Sequence, residues 1–130
     1  MSVSKKLLGL KYANHDLFIV TAVGNSMNKA EGIDGGPISD GDYVVIDSSD
    51  HNFKSGDYVL SIISDRANIK KIIFDKPHRQ VVLCSESTQF FPPIYIHEDE
   101  FSDYFVNGKV VKVIKAPQSE ESQLEYLYSN

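Results

Sequence analysis

Strand-forming residues dominate the pattern of apolar and polar positions along this chain. Leu17-Phe18-Ile19-Val20-Thr21-Ala22-Val23, Tyr43-Val44-Val45-Ile46-Asp47 and Tyr58-Val59-Leu60-Ser61-Ile62-Ile63 are short apolar runs rich in β-branched and aromatic residues. Runs of that length and composition predict strands. Ala67 to Phe74, Gln80 to Cys84, Ile94 to Ile96 and Val110 to Ile114 add four more. Asp75-Lys76-Pro77-His78-Arg79 reads as the turn of a hairpin. Ser39-Asp40-Gly41-Asp42 and Lys54-Ser55-Gly56-Asp57 lead into the second and third runs, and both continue as Gly-Asp-Tyr-Val. That echo is repeated turn chemistry, since glycine after Asp or Ser closes a tight turn. Short strands separated by turn signals predict an all-β domain, closed or partly closed. Helical periodicity is weak. Ser119 to Tyr128 fits a short helix capped by Ser119, or equally an acidic tail.

Composition narrows the class. Of the 130 residues, 42% are hydrophobic and 24% charged, which suits one globular domain with its own core. The net charge of −5 is poorly suited to gripping phosphates, so this chain is not expected to read DNA itself. No apolar stretch approaches the roughly 20 residues of a membrane-spanning helix, and the start around Lys5-Lys6-Leu7-Leu8 reads as no signal peptide. The single cysteine, Cys84, cannot form an intrachain disulfide, which fits a reducing, cytoplasmic setting.

Gly24-Asn25-Ser26-Met27 follows directly on the first run. Gly24 lets the backbone turn sharply, which would expose the Ser26 hydroxyl and aim N–H groups at a developing oxyanion. Taken alone, the tetrapeptide is more simply a turn serine. A serine nucleophile needs a base. His15, His51, His78 and His97 all lie in polar or turn contexts and lack the spacing of metal ligands, so neither a histidine base nor a metal or other cofactor is read. A lysine base must be desolvated enough to lose its proton. Asn68-Ile69-Lys70-Lys71-Ile72-Ile73 offers Lys70 on one strand face with Asn68 and Ile72, and Lys71 on the other. On spacing alone, an edge-strand lysine that discourages aggregation is the plainer reading. Ser26-Met27-Asn28-Lys29 also matches Ser-x-x-Lys of penicillin-binding enzymes, but Lys29 enters the glycine-rich stretch ending at Gly35-Gly36 rather than a helix.

Together these segments closely resemble the peptidase domain shared by LexA, UmuD and phage repressors. The resemblance rests on Val23-Gly24-Asn25-Ser26-Met27, on Pro37 to Asp47, on Ser55 to Leu60 and on Ile69-Lys70-Lys71-Ile72. Phe91-Pro92-Pro93-Ile94 and Asn107 to Ile114 extend it. The resemblance implies a LexA-like or signal-peptidase-like β-rich fold of short strands and a Ser-Lys dyad. The family's serine falls on Ser26 and its lysine on Lys70. The oxyanion donors fall on the backbone N–H groups of Asn25 and Ser26, with Gly24, Met27 and Asn68 in support. Asn68 stands where the family often has Thr, and Ser87 where Asn is frequent. The loop after Met27 is longer than usual. No Ala-Gly or Cys-Gly dipeptide, the family's usual cleavage site, occurs. The resemblance divides the chain into an N-terminal segment, 1–16, a peptidase and dimerisation domain, 17–116, and an acidic tail or short helix, 117–130.

The function so implied is a self-cleaving serine peptidase domain of a LexA or phage-repressor-like regulator, or of a UmuD-like protein, in an SOS-type stress response. Its implied partners are a second copy of the chain, the recombinase filament of that response, and its own linker peptide as substrate. DNA would be met only by a separate N-terminal domain, and no membrane is involved. The homodimer is expected to form through strands near the C-terminus, with Val110 to Ile114 covered or extended by the partner. The alternative is a catalytically idle dimerisation or accessory module of a transcriptional regulator. Signal peptidase, a third Ser-Lys reading, fits the Gly-Asp-Tyr-Val pattern less well.

Overall fold

A computed structural model describes residues 16–63, 66–102 and 105–116. Seven strands form one antiparallel sheet: β1 (Leu17–Thr21), β2 (Tyr43–Asp47), β3 (Tyr58–Ile63), β4 (Arg66–Asp75), β5 (Gln80–Cys84), β6 (Ile94–His97) and β7 (Val106–Ile114). Their spatial order is β1-β2-β7-β3-β4-β5-β6. The all-β class is as the apolar runs predict. The sheet does not close on itself: β1 and β6 are its edges. No helix among the described residues is long and apolar enough to cross a membrane. The helix or tail expected at Ser119 to Tyr128 lies outside the described residues, as does most of the N-terminal segment.

The central strands are continuous apolar runs because both faces of the sheet are covered. On β3, Tyr58 and Leu60 enter one core and Val59 enters another. On β4, Ile69 joins the first core and Ile72 the second. The first core is roofed by the stretch between β1 and β2, which contributes Met27, Ala30, Ile33 and Ile38. The second is closed by Val81 and Leu83 of β5 and Ile96 of β6, with Phe53, Phe74, Phe101 and Phe105 packed against it. The glycine-rich stretch after Met27 is therefore a packed element. Full burial of a side chain the size of Met27 is worth about 1.5–3 kcal/mol, enough to pin the turn that carries it.

The echoed lead-in segments fold alike. Ser39 N–H donates to Asp42 Oδ2 and Lys54 N–H to Asp57 Oδ2, both at 2.8 Å. Each aspartate N–H returns a bond to the first residue's carbonyl at 3.0 Å. Gly41 and Gly56 sit third in these turns with φ of +88° and +98°, the left-handed conformation a type II turn demands there.

Two boundaries differ from the sequence reading by more than one residue. β1 ends at Thr21, because the chain turns away from β2 after Ala22 and leaves Val23 89% exposed. β7 begins at Val106 rather than Val110. Its early part is irregular: pairing with β3 slips between Leu60 and Ser61, and pairing with β2 between Val45 and Ile46. Gly108 (φ +155°) allows the close approach there, where a Cβ would lie 2.5 Å from the Asp47 carbonyl oxygen. Val110 to Ile114 lies against β2, and Asp34 O accepts the Val113 N–H, so this stretch is no free edge for a partner to extend.

Asp42 joins the lead-in turn of β2 to the far end of β7. It is 4% exposed and accepts from Ser39 N–H, Ala116 N–H and Lys115 Nζ. Burial pushes its carboxyl pKa up, but these donors outweigh burial and hold it below the ordinary value. A carboxylate with a lowered folded-state pKa contributes stability above its unfolded value, about 3.9, and loses it as pH falls through the folded value. Asp42→Ala should cost about 1–3 kcal/mol at neutral pH. Thermal melts should show that deficit shrinking below about pH 4; a deficit independent of pH would contradict this account.

Candidate functional site

The Ser26 turn is held from both sides. Beyond β1, Ala22 N–H donates to Asp42 O and Ala22 O accepts from Gly41 N–H, both at 2.8 Å. Gly24 then turns with φ +82°, and its N–H donates to Asp40 Oδ1 at 2.7 Å. Three residues later Met27 drops into the first core at 2% exposure. Bracketed by these anchors, Ser26 is half-buried and faces a cleft of about 360 Å³. The cleft runs between Val20 and Thr21 of β1 and Ala67, Asn68 and Ile69 of β4, with Leu60 and Ile38 also lining it. These walls are largely aliphatic. Among the described residues, no hydrogen bond is donated by the N–H groups of Asn25 or Ser26.

Lys70 lies on β4 opposite Val59 of β3 and is only 7% exposed. Its amine donates to Ser85 Oγ at 2.6 Å and lies 5.7 Å from the Phe91 ring centroid. Burial holds its pKa below the ordinary lysine value, with the nearby Cys84 thiol pulling weakly the other way. Burial likewise pushes the Cys84 thiol up, assisted by Glu86, so the thiol is a poor source of thiolate. Lys71 is differently placed. Its amine pairs with Glu86 Oε2 at 3.4 Å and lies 5.7 Å from the centre of the Tyr58 ring. Adjacent lysines of one strand thus meet different surroundings, as period-two alternation requires.

Residues 85–88, which leave β5, touch both halves of the site. Ser85 holds the Lys70 amine. Glu86 N–H points at Met27 Sδ at 3.4 Å, and Glu86 O accepts from Lys29 N–H at 2.8 Å. Ser87 Oγ donates to Asn25 O at 2.6 Å. Thr88 and Asn28 exchange two bonds: Asn28 Nδ2 donates to Thr88 Oγ1, and Thr88 N–H donates to Asn28 Oδ1, each at 2.9 Å. The same strap therefore binds the residues flanking Ser26 and the side chain of Lys70. Among the described residues, no hydrogen bond joins Ser26 to Lys70. Asn68 is exposed and lines the cleft, so the group that bonds the lysine amine is Ser85.

Sequence reasoning passed over Ser85, Glu86 and Tyr58. The Tyr58 hydroxyl donates to Glu86 Oε1 and accepts from Gly32 N–H at 3.3 Å, linking β3, the strap and the glycine-rich stretch. Burial and then the Glu86 carboxylate push its pKa up to about 12. The one available signal was the polar run Ser85-Glu86-Ser87-Thr88 directly after an apolar strand, and polar runs after strands are usually just loops.

Tyr58→Phe keeps the ring and removes both of those bonds. Unfolding in urea at neutral pH should show a loss of about 1–2 kcal/mol. An unchanged midpoint would mean that the hydroxyl does not tie the roof of the first core to β3.

Comparison with known proteins bears on this site directly. No match is found among curated proteins. A family model described as Peptidase S24-like matches residues 1–111, a span that takes in the Ser26 turn, Lys70 and the strap, and it agrees with the LexA/UmuD-like resemblance. Matched over most of its length, the chain belongs to the Peptidase S24-like family.

Proposed function

We propose that this domain is a serine peptidase in which Ser26 is the nucleophile and Lys70 its general base, acting on its own linker within a LexA-like or UmuD-like stress regulator. The observation that carries the reading is the shared strap: one short segment holds a desolvated lysine amine and the turn of an accessible serine. In the reaction, the neutral Lys70 amine takes the Ser26 proton as Oγ attacks the scissile carbonyl carbon. The oxyanion so formed is stabilised by the Asn25 and Ser26 N–H groups. The ammonium then passes its proton to the leaving amine, and water releases the acyl group by the reverse sequence. The aliphatic cleft would seat an extended peptide with small or apolar side chains beside Ser26.

A second reading is favoured by one observation: the Lys70 hydrogen bond runs to Ser85 and not to Ser26. On that reading the domain is an idle dimerisation or accessory module. Catalytic hydrogen bonds are often long or unmade without substrate, so the resting geometry is compatible with both.

Cleavage assays on the regulator, or on a linker peptide supplied in trans, separate the two. Ser26→Ala should abolish cleavage, and Lys70→Ala should lower it by about 10²–10⁴-fold. Lys29→Ala and Lys71→Ala should retain most of it. The base acts only when neutral, so the rate should rise with pH. Burial places that rise below the ordinary lysine value of 10.5. A Lys70→Ala protein as fast as the parent removes Lys70 from the mechanism; a parent inert at every pH supports the idle module.

A further inference from the structure

We infer that Ser85 is the positioning residue for the Lys70 amine: its hydroxyl fixes the amine's orientation and supports the ammonium formed when Lys70 takes a proton. This rests on the peptidase reading above. It deepens that reading by naming a residue to which neither the sequence nor the family match assigns a role.

The argument begins with the amine's valences. A neutral lysine amine has two N–H bonds and one lone pair. On a four-carbon stem it rotates freely unless one N–H is held. Ser85 Oγ is 2.6 Å from Nζ, at the short end of hydrogen-bond distances. The groups around the amine offer few other partners. Val59 opposes Lys70 on β3 and Phe91 presents a ring. Cys84, at the end of β5, is the titratable neighbour whose charge acts on Lys70. Glu86, next along the strap, is engaged by Lys71 and Tyr58. Ser85 therefore supplies the oxygen that accepts from the amine in a setting where burial disfavours its charge.

Ser85 itself is well placed to hold still. It follows β5 directly, and the next residues are tied to Met27, Lys29 and Asn25 on the nucleophile's turn. Fixing Ser85 relative to that turn fixes the amine relative to Ser26. The hydroxyl forms no covalent bond in the reaction. It accepts one N–H of the amine, which leaves the lone pair for the Ser26 proton. It accepts again, more strongly, from the resulting ammonium. A partner that binds the protonated amine more strongly than the neutral one stabilises the transition state more than the ground state.

Two readouts test this on the intact chain. Lysine labelled with 13C and 15N, with Lys70 assigned by comparison with Lys70→Arg, reports the amine's titration by NMR. Ser85→Ala should move the Lys70 midpoint to lower pH, because the hydroxyl favours the charged form. Asn68→Ala should leave that midpoint in place. In the linker-cleavage assay, Ser85→Ala should lower the plateau rate by about tenfold, the effect of one positioned hydrogen bond. It should also shift the pH–rate profile in the same direction as the NMR midpoint. Ser85→Thr, which keeps the hydroxyl, should restore both. A folded Ser85→Ala protein with an unmoved Lys70 midpoint, or with the parent's rate and profile, overturns the inference. A parent that cuts nothing while the Ser85→Ala midpoint still moves overturns the peptidase reading instead, and leaves Ser85 as a structural partner of a buried lysine.

Discussion

The hydrogen bonds between the strap at 85–88 and the turn at 25–29 are the constraint on which the site depends. Asn28 and Thr88 are 60 positions apart in sequence, yet each satisfies the other's polar groups. A turn that merely left an edge strand would have no reason to hold one conformation, since its own backbone bonds are few. Here the side chain of Met27 is buried below it, Asp40 caps Gly24, and the strap closes it from the far side. Burial supplies most of the free energy. The hydrogen bonds select the arrangement, and among the described residues every buried side-chain nitrogen and oxygen has a partner.

The same constraint governs the lysine. Taking an amine out of water costs several kcal/mol if it stays charged and unpaired, so a buried lysine either loses its proton more readily or acquires acceptors. Lys70 has one hydroxyl and one aromatic ring for company, and no carboxylate bonds it among the described residues. Its neighbour Lys71 has the carboxylate. Reversing those surroundings would leave Lys70 a well-satisfied cation and a poor base. The placement of Glu86 against Lys71 rather than Lys70 is thus a selective feature of the site, produced by strand alternation and by the Tyr58–Glu86 bond that holds the carboxylate to one face.

A sheet that is covered on both sides makes this arrangement feasible. β4 is internal, pairing with β3 over Arg66 to Lys71 and with β5 over Lys71 to Asp75, and its side chains are divided between the two cores. The roof over the first core and the strap beside β5 meet where Glu86, Ser87 and Thr88 bond Met27, Lys29, Asn25 and Asn28. The cleft lies where the roof leaves β1 uncovered, and Ser26 lines it beside the lead-in of β4.

Much of this was legible in the residues themselves. Apolar runs located all seven strands, since a strand's requirement for β-branched and aromatic side chains is local. The Gly-Asp pairs located two turns, since a left-handed residue at a fixed turn position is a local demand as well. The order of segments led to Ser26 and Lys70 and to a family. What sequence could not supply was which polar groups meet. Ser85 stands 15 positions from Lys70, and nothing in a Ser-Glu-Ser-Thr run distinguishes it from an ordinary loop. Strand order placed β7 in the middle of the sheet and so removed Val110 to Ile114 as a free edge, a fact of pairing that apolarity alone does not carry. Local chemistry determined the elements, and the resemblance carried by the order of segments supplied the candidate nucleophile and base; only tertiary packing decided the lysine's hydrogen-bond partner, because burial and hydrogen bonding between distant segments are properties of the assembled sheet.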